Sequence, residues 1–551
     1  MLLHHLLDQA AQRHPDADAV RCDGESLCWG ELYRQANGIA RTLQESGLER
    51  RGRVAVLLGK GLRVPASFYG VLAAGGVLVP IDPKSPAEQI ARILTATGTS
   101  HVLTEPQRAA TVRQALSAME SSTSRAAQAG ADPLRILGIE AEDETGSSYG
   151  GESIPWRTLL EQAQDHPPDA SVIDTDPVYI LHTSGSTGVP KLIQHTHRSA
   201  LSFAHWAAEE YSLSPEDRLS NHSSHHTCFA TFDYYAAAHA GACTVILTPA
   251  VMMMPPSLAT LLERERVSVW YSVPTALVHL SLRGILEERD LSALRWVLFA
   301  GEAFPAKHLR RLVQQLPGAR LSHVYGSTEV NVCTYYHLPA SQSSGALPLD
   351  PPVSDPLPIG RPCSNARALV VDEHLQPVAD GEEGELLIRG STVMSGYWGD
   401  PERNRQVLVQ RPAGGGLEET YFRTGDRVQV LEDGNLAFVA RVDLQIKVRG
   451  HRVELGEVES ALLSLPGIEE AAAFALPDGE GSWSIRAAVV TAGNATKDER
   501  EIAAGLKQKL PLQALPARFL QLRALPRTPT GKIDRKALQA QAEAEETAHD
   551  G

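Results

Sequence analysis

Between residues 51 and 83 a short apolar run (VAVLL), a helical-period stretch (VPASFYGVLAAG) and a second short apolar run (VLVPID) follow one another. This order restricts the fold more than any other feature of the chain. Apolar runs too short for a helix suit strands buried on both faces, and strands that alternate with helices pair in parallel beneath them. The pattern recurs at VYILHT, ACTVILTP, SVWYSV, RWVLFAG and LSHVYG, so parallel sheets covered by helices are expected. From about 360 to 440 short strands dominate (RALVV, GELLIRG, RVQVL, LAFVA), joined by turns such as EDGN, which predicts a β subdomain. At 551 residues the chain is too long for one core. It breaks near Asp443, after which comes an α+β unit of roughly a hundred residues. The expected fold is α/β: a large domain over 1–441 with two helix-covered sheets and a β subdomain, and a small α+β domain over 442–551. Stretches at 120–155 and 341–358 read as surface insertion and loop, and the last residues as a helix fraying into an acidic tail.

Composition narrows the function classes. With 43% hydrophobic and 21% charged residues the chain is that of an ordinary globular protein. Its formal net charge of -15, without a long basic run, argues against binding nucleic acid or an anionic membrane. Cys22, Cys28, Cys228, Cys243, Cys333 and Cys363 are scattered without CxxC spacing, which points to a reducing, cytoplasmic setting. The opening MLLHHLLDQAAQR soon carries charge and reads as an amphipathic helix, and no apolar stretch of about 18 residues offers a membrane span.

One loop suggests chemistry. Tyr179-Ile180-Leu181-His182 is a strand running into Thr183, Ser184, Gly185, Ser186, Thr187 and Gly188, followed by Val189, Pro190 and Lys191. Glycines let backbone N–H groups approach phosphate oxygens, hydroxyls add donors, and a lysine adds positive charge. The ending lacks the GK[ST] of a Walker loop. The ordered string resembles the phosphate loop of the adenylate-forming superfamily, which contains nonribosomal peptide synthetase adenylation domains, acyl-CoA ligases and firefly-type luciferases. Leu72-Ala73-Ala74-Gly75-Gly76, Tyr325-Gly326-Ser327-Thr328-Glu329, Gly384-Glu385-Leu386, Phe422-Arg423-Thr424-Gly425-Asp426, Arg441 to Gly450 and Gly531-Lys532-Ile533-Asp534-Arg535 follow in the family's order. The wording QIKVRGHRVELGEVE and TPTGKIDRKAL is closest to peptide-synthetase adenylation domains.

The resemblance implies an acetyl-CoA-synthetase-like fold with a mobile C-terminal domain, and ATP and Mg2+ as cofactors. A carboxylate attacking the α-phosphate brings two anions together, so cations must meet the developing charge. By resemblance Glu329 holds Mg2+, Thr328 contacts the α-phosphate, and Asp426 accepts the ribose hydroxyls, with Arg441 among the nucleotide-binding residues. Adenine is expected near Gly301, Glu302 and Ala303 against the ring of Tyr325 and beside Gly326. His323 departs from the family, standing where an asparagine often reads the adenine amino group. Lys532 resembles the lysine that bridges the acid and the phosphate. Asp443 resembles the hinge about which the small domain turns, bringing Lys447, Arg449 and Gly450 to line the thiol's path.

The family stretch that begins the acyl pocket aligns with 220–235, and ungapped counting from Gly241-Ala242 puts Thr227-Cys228 where most amino-acid-activating members carry Phe-Asp. That aspartate pairs with the substrate ammonium, and a neutral thiol cannot. The remaining pocket positions carried over are His226, Phe229, Phe232, Tyr271, Leu298, Ala300, Val324, Val332 and Cys333. His226 is read as a wall of the pocket or thiol tunnel; with His222 and His225 it lacks partners at metal-ligand spacing. The expected substrate is a small carboxylic acid without a cationic α-amino group, or an amine held by another contact. The expected acceptor is the phosphopantetheine of a carrier protein supplied in trans, within natural-product biosynthesis. Coenzyme A as acceptor, and a scaffold that has lost catalysis, are the alternatives.

Overall fold

The computed structural model describes residues 1–121, 134–140, 153–162, 165–183, 190–339, 357–441, 445–478, 482–491, 497–527 and 533–549. Among these, the strands before residue 442 form three sheets. The first has nine strands, with Arg320–Tyr325, Trp296–Phe299, Val269–Ser272, Arg218–Asn221, Cys243–Ile246 and Asp18–Cys22 all parallel at its centre. The second has eight, with Pro177–Thr183, Val77–Pro80, Arg53–Leu57 and His101–Thr104 parallel at its centre. The third is antiparallel and five-stranded, built from Ala366–Val371, Glu383–Gly390, Leu408–Gly414, Leu417–Val430 and Leu436–Arg441.

The apolar runs become strands because each is covered on both faces. Val54, Ala55, Val56 and Leu57 are each fully buried, and their odd and even members enter different cores. The largest core joins helices Trp29–Glu45 and Arg63–Ala73 to residues of both parallel sheets. These two helices pack closely because Gly70 has no side chain: a Cβ there would lie 2.7 Å from Ile39 Cγ2 and 2.9 Å from the Ala36 carbonyl oxygen.

The structure corrects one expectation. Arg135–Leu137, placed in a surface insertion by composition, is a strand of the second sheet between His101–Thr104 and Ser153–Ile154, with Ile136 and Leu137 buried. Three residues are too few to show a period, and pairing with a formed edge supplies what the local pattern lacks. Most of the expected loop at 341–358 lies outside the described residues.

Beyond residue 444 a hairpin of Gln445–Val448 and His451–Glu454 leads into a three-stranded sheet, Ile468–Pro477, Trp483–Thr491 and Arg518–Gln521, packed by helices Leu455–Leu463 and Glu499–Lys507. A last helix, Arg535–His549, lies on the same sheet. No helix of the described residues is long and apolar enough to cross a membrane.

Gly70→Val overfills the contact between two buried helices. It is expected to destabilise the large domain by about 1–3 kcal/mol, read as a lower midpoint in urea unfolding.

Candidate active site

In open parallel sheets the carboxyl ends of the strands carry the loops that bind ligands. Here those ends converge on one cavity. Thr183 ends a strand of the second sheet; Asn221, Ser272, Phe299 and Tyr325 end strands of the first. The cavity is lined by Thr183, His226, Thr227, Cys228, Phe229, Gly301, Gly326, Thr328, Asp426 and Arg441, with Lys447, Gly450, His451 and Arg452 closing it from the C-terminal unit. Twelve of the residues singled out in the sequence therefore meet in one place. Ser184, Gly185, Ser186, Thr187, Gly188, Asp443 and Lys532 lie outside the described residues.

The turn after Tyr325 is held on several sides. A Cβ on Gly326 would lie 1.6 Å from the Asn331 carbonyl oxygen, so this position admits glycine alone. The Thr328 carbonyl bonds to His195 Nε2 at 2.8 Å, and the Glu329 carbonyl accepts from Met394 N at 2.7 Å. The fixed turn presents Thr328 to the cavity and buries Glu329 completely.

Glu329 is not left unpaired. Arg452 Nη1 donates to both carboxylate oxygens, at 2.8 and 2.7 Å, and the Tyr397 hydroxyl donates to Oε1 at 2.8 Å. Burial alone would push this carboxyl up, but the Arg452 guanidinium outweighs it and brings it down to about 2. Lys191 is strand-paired with Thr183 across residues 184–189, and its ammonium forms an ion pair with Glu454. Thr183 Oγ1 is buried without a hydrogen-bond partner among the described residues. A hydroxyl donor and a lysine thus flank the span expected to hold phosphate.

Asp426 accepts from the Tyr325 hydroxyl and from Arg441 Nη1, the latter at 2.6 Å, so the expected ribose acid, adenine-stacking ring and nucleotide arginine are in mutual contact. Burial raises the Asp426 carboxyl despite that guanidinium. His323 stacks on Phe299 at 5.2 Å and bonds through Nδ1 to the Pro358 carbonyl. Glu302 does something the sequence did not disclose. It clamps the two parts of the chain together, accepting at 2.8 Å from Gly450 N and at 2.7 Å from Ser482 Oγ, while Thr275 Oγ1 holds its other oxygen at 2.6 Å. Ala303 sits beside it on the exposed turn.

Phe229, Phe232, Tyr271, Leu298, Ala300, Val324 and Val332 gather in one apolar cluster. The rings of Phe229 and Phe232 stand 4.8 and 5.3 Å from that of Tyr271. Cys333 departs from them: it packs under Tyr325 in a separate cluster with Ile193 and Phe422. Residues 332 and 333 are neighbours in sequence, and their side chains enter different cores. In the cavity wall beside Phe229, Thr328 Oγ1 donates to Cys228 Sγ at 3.8 Å; Cys228 packs on the edge of the largest core, and burial pushes its thiol up, leaving it neutral. Asp233, the acid of the nearby Phe-Asp pair, is buried and accepts from Asn221 Nδ2 at 2.9 Å. His226 stacks on His182 at 5.8 Å, 3.9 Å from the Asp82 carboxylate, and burial lowers both imidazoles.

Arg449 faces an outer cleft shared with Trp483 and Leu512, and its N–H donates to Ser482 Oγ at 2.9 Å. Gly450, at φ +80°, packs against Val273, where a Cβ would lie 2.5 Å from Cγ1. Sequence reasoning missed Arg452 and Glu454. Their signal was present in RGHRVELGEVE, a cation and an acid two apart on a strand and so on one face, but the charges they meet lie 123 and 263 residues away in the chain.

Comparison with known proteins agrees with this geometry. The AMP-binding enzyme family matches residues 7–398, and the AMP-binding enzyme C-terminal domain matches 457–532. The chain is 31% identical over 544 residues to an L-proline--[L-prolyl-carrier protein] ligase of Pseudomonas fluorescens, covering 98% of this chain and 99% of that protein. It is also 31% identical to tyrocidine synthase 1 of Brevibacillus parabrevis, covering 97% of this chain but 44% of that protein. The amide bond synthetase McbA of Marinactinospora thermotolerans has the same fold, with a TM-score of 0.82 and 24% identity over 98% of this chain and 99% of that one. An artificially fused adenylation–PCP di-domain from Klebsiella oxytoca superposes with a TM-score of 0.76 and 23% identity over 94% of this chain and 93% of that one. The chain therefore belongs to the AMP-binding enzyme family, among the adenylation domains and carrier-protein ligases of the adenylate-forming superfamily, and is an AMP-forming ligase.

Proposed function

We propose that this ligase uses ATP to convert a small carboxylic acid without a cationic α-amino group into its acyl-adenylate, and then transfers the acyl group to the phosphopantetheine thiol of a separate carrier protein. The observation that carries the substrate reading is the neutral thiol of Cys228, half-buried in the cavity wall beside Phe229 of the aromatic cluster, at the position where the family's carboxylate is expected. Cys228 itself offers an ammonium no counter-charge, and leaving one unpaired is costly. Asp233 is a poor replacement for the missing carboxylate, because burial raises its carboxyl towards the neutral form and one of its oxygens already accepts from Asn221. The carrier protein as acceptor is supported by likeness to the prolyl-carrier ligase along nearly its whole length.

In this reading the acid's oxygen attacks the α-phosphorus and pyrophosphate leaves. Thr183 and Lys191 hold the departing phosphates, Thr328 contacts the α-phosphate, Asp426 takes the ribose, and Lys532 bridges acid and phosphate. Glu329 suits Mg2+, since that ion is commonly held by one or two carboxylates together with phosphate oxygens; when bound, it neutralises phosphate charge. Turning about Asp443 then brings Lys447 and Gly450 to the cavity. The thiol sulfur attacks the carbonyl carbon, and AMP departs with the C–O bond electrons.

Acid-dependent pyrophosphate exchange tests the first half. Tetrahydrofuran-2-carboxylate or pyrrole-2-carboxylate, neutral rings of proline's size, should exceed proline by at least about tenfold, the ratio expected from one unpaired polar group. A preference for proline would overturn the substrate assignment, and no exchange across amino, hydroxy, aryl and short aliphatic acids would overturn catalysis itself. Cys228→Asp should shift the preference toward amino acids.

Mass measurement of the products with a loaded carrier protein or coenzyme A tests the acceptor; acylation of coenzyme A alone would overturn the carrier reading. Gly450→Ala meets both a positive φ and the Val273 side chain. It should slow transfer to the thiol by more than about tenfold and slow pyrophosphate exchange less, as measured by separate half-reaction assays.

A further inference from the structure

We propose that His226, held opposite Asp82, is the base that removes the proton of the incoming thiol, at a neck between the active-site cavity and the outer cleft. The proposal rests on the thiol-transfer reading above. The outer cleft encloses about 480 Å3 and is lined by Lys60, Arg449, Trp483 and Leu512 among others. It shares Asp82, His226, His451, Pro511 and Gln513 with the inner cavity. A thiol entering through this cleft therefore passes two imidazoles and a carboxylate before it reaches Cys228, Phe229 and Thr328 on the inner side.

Both members of the pair are fixed by the fold. Asp82 follows the buried strand Val77–Pro80, and its Oδ1 accepts from Lys84 N at 2.9 Å, a side-chain-to-backbone turn that sets the carboxylate. His226 stands on the segment after strand Arg218–Asn221. Lys60, which follows strand Arg53–Leu57 of the second sheet, donates to the carbonyls of Asn221 and His222 at 2.6 and 2.8 Å and so anchors the start of that segment. His226 Nε2 thereby stands 3.9 Å from Asp82 Oδ2, with the ring of His182 stacked parallel at 5.8 Å. His226 Nδ1 is buried without a hydrogen-bond partner among the described residues. An imidazole set against a carboxylate, beside the path of a nucleophile, is the arrangement that activates it. As the sulfur lone pair forms the C–S bond, the S–H proton passes to His226 Nε2. The C–O bond to AMP breaks with its electrons going to the nucleotide, and the new imidazolium faces the Asp82 charge. The proton then leaves to water through the outer cleft. Burial lowers the His226 imidazole against the opposing pull of Asp82, and the charge of Lys60 lowers it further, so the ring is neutral and able to accept at neutral pH. His182, His225 and His451 face it as further imidazoles, and burial lowers each of them too.

The test follows a single turnover of the full chain. The adenylate is formed in place from ATP, Mg2+ and the acid that gives the strongest pyrophosphate exchange. Free pantetheine, the thiol end shared by a carrier's arm and coenzyme A, is then added by rapid mixing. An alkyl thiol ionises near about pH 8.5, so unassisted attack by its thiolate weakens about tenfold per pH unit below that. With a neutral base the rate should instead stay flat from about pH 8 down to about pH 6.5, and fall only once the imidazole is protonated. His226→Gln should slow transfer about 100-fold near about pH 7 and restore the tenfold-per-unit slope, so that its deficit shrinks toward about pH 9. Asp82→Asn, which leaves the imidazole in place, should slow transfer less and keep the flat profile. Pyrophosphate exchange, measured alongside, should fall less than transfer in both variants. A thiolate slope in the unaltered enzyme, or a flat profile retained by His226→Gln, would overturn the base alone; so would a slope that appears in His451→Gln instead. Formation of the adenylate without any acyl-pantetheine would overturn the thiol-transfer reading beneath it, and the base with it.

Discussion

The buried contact between Glu329 and Arg452 is the interaction on which the rest of the active site depends. It joins a fully buried acid, fixed by a strand-end turn, to a cation on the C-terminal hairpin that is 14% exposed. Removing one partner of such a pair costs about 3–5 kcal/mol, far more than an exposed salt bridge contributes. The lysine that flanks the phosphate span is paired with the same hairpin, so the position of the smaller unit and the charge state of the cavity are linked.

Rigid parts make that linkage possible. The cavity stands at the carboxyl ends of strands whose residues are buried on both faces, and Gly326 and Gly450 mark where backbone or side chain comes too close for a Cβ. Glu302 adds a fixed docking point, with its two oxygens divided between Thr275 on its own side and Gly450 and Ser482 on the other. A movable unit held at a few defined contacts can dock reproducibly and still leave.

The proposed acyl side is short of charge. Cys228 is neutral, the cluster around neighbouring Phe229 is aromatic and aliphatic, and burial raises the carboxyl of nearby Asp233 towards its uncharged form. The charged groups Asp426, Arg441, Glu329 and Lys191 stand apart from that cluster. The same turn therefore borders a charged half and an uncharged half, a division that suits joining a neutral-bodied acid to a polyanion.

Much of this was legible in the chain. Runs such as VAVLL and VLVPI specify strands because every residue is apolar, and the motif order singles out the span from Thr183 to Lys191, the turn at Glu329 and Asp426. Arg135–Leu137 was not legible, since a triplet shows no period, and neither was the burial of Cys333 in a different core from Val332. Nor could spacing reveal that Glu302 clamps the two units or that Arg452 and Glu454 meet Glu329 and Lys191. The sequence by itself determined which backbone segments become strands and which residue types are available for the chemistry, because those depend on local pattern. Only the tertiary structure decided which charges pair, because Coulomb energy depends on distance and burial, and both are set by how distant segments fold together.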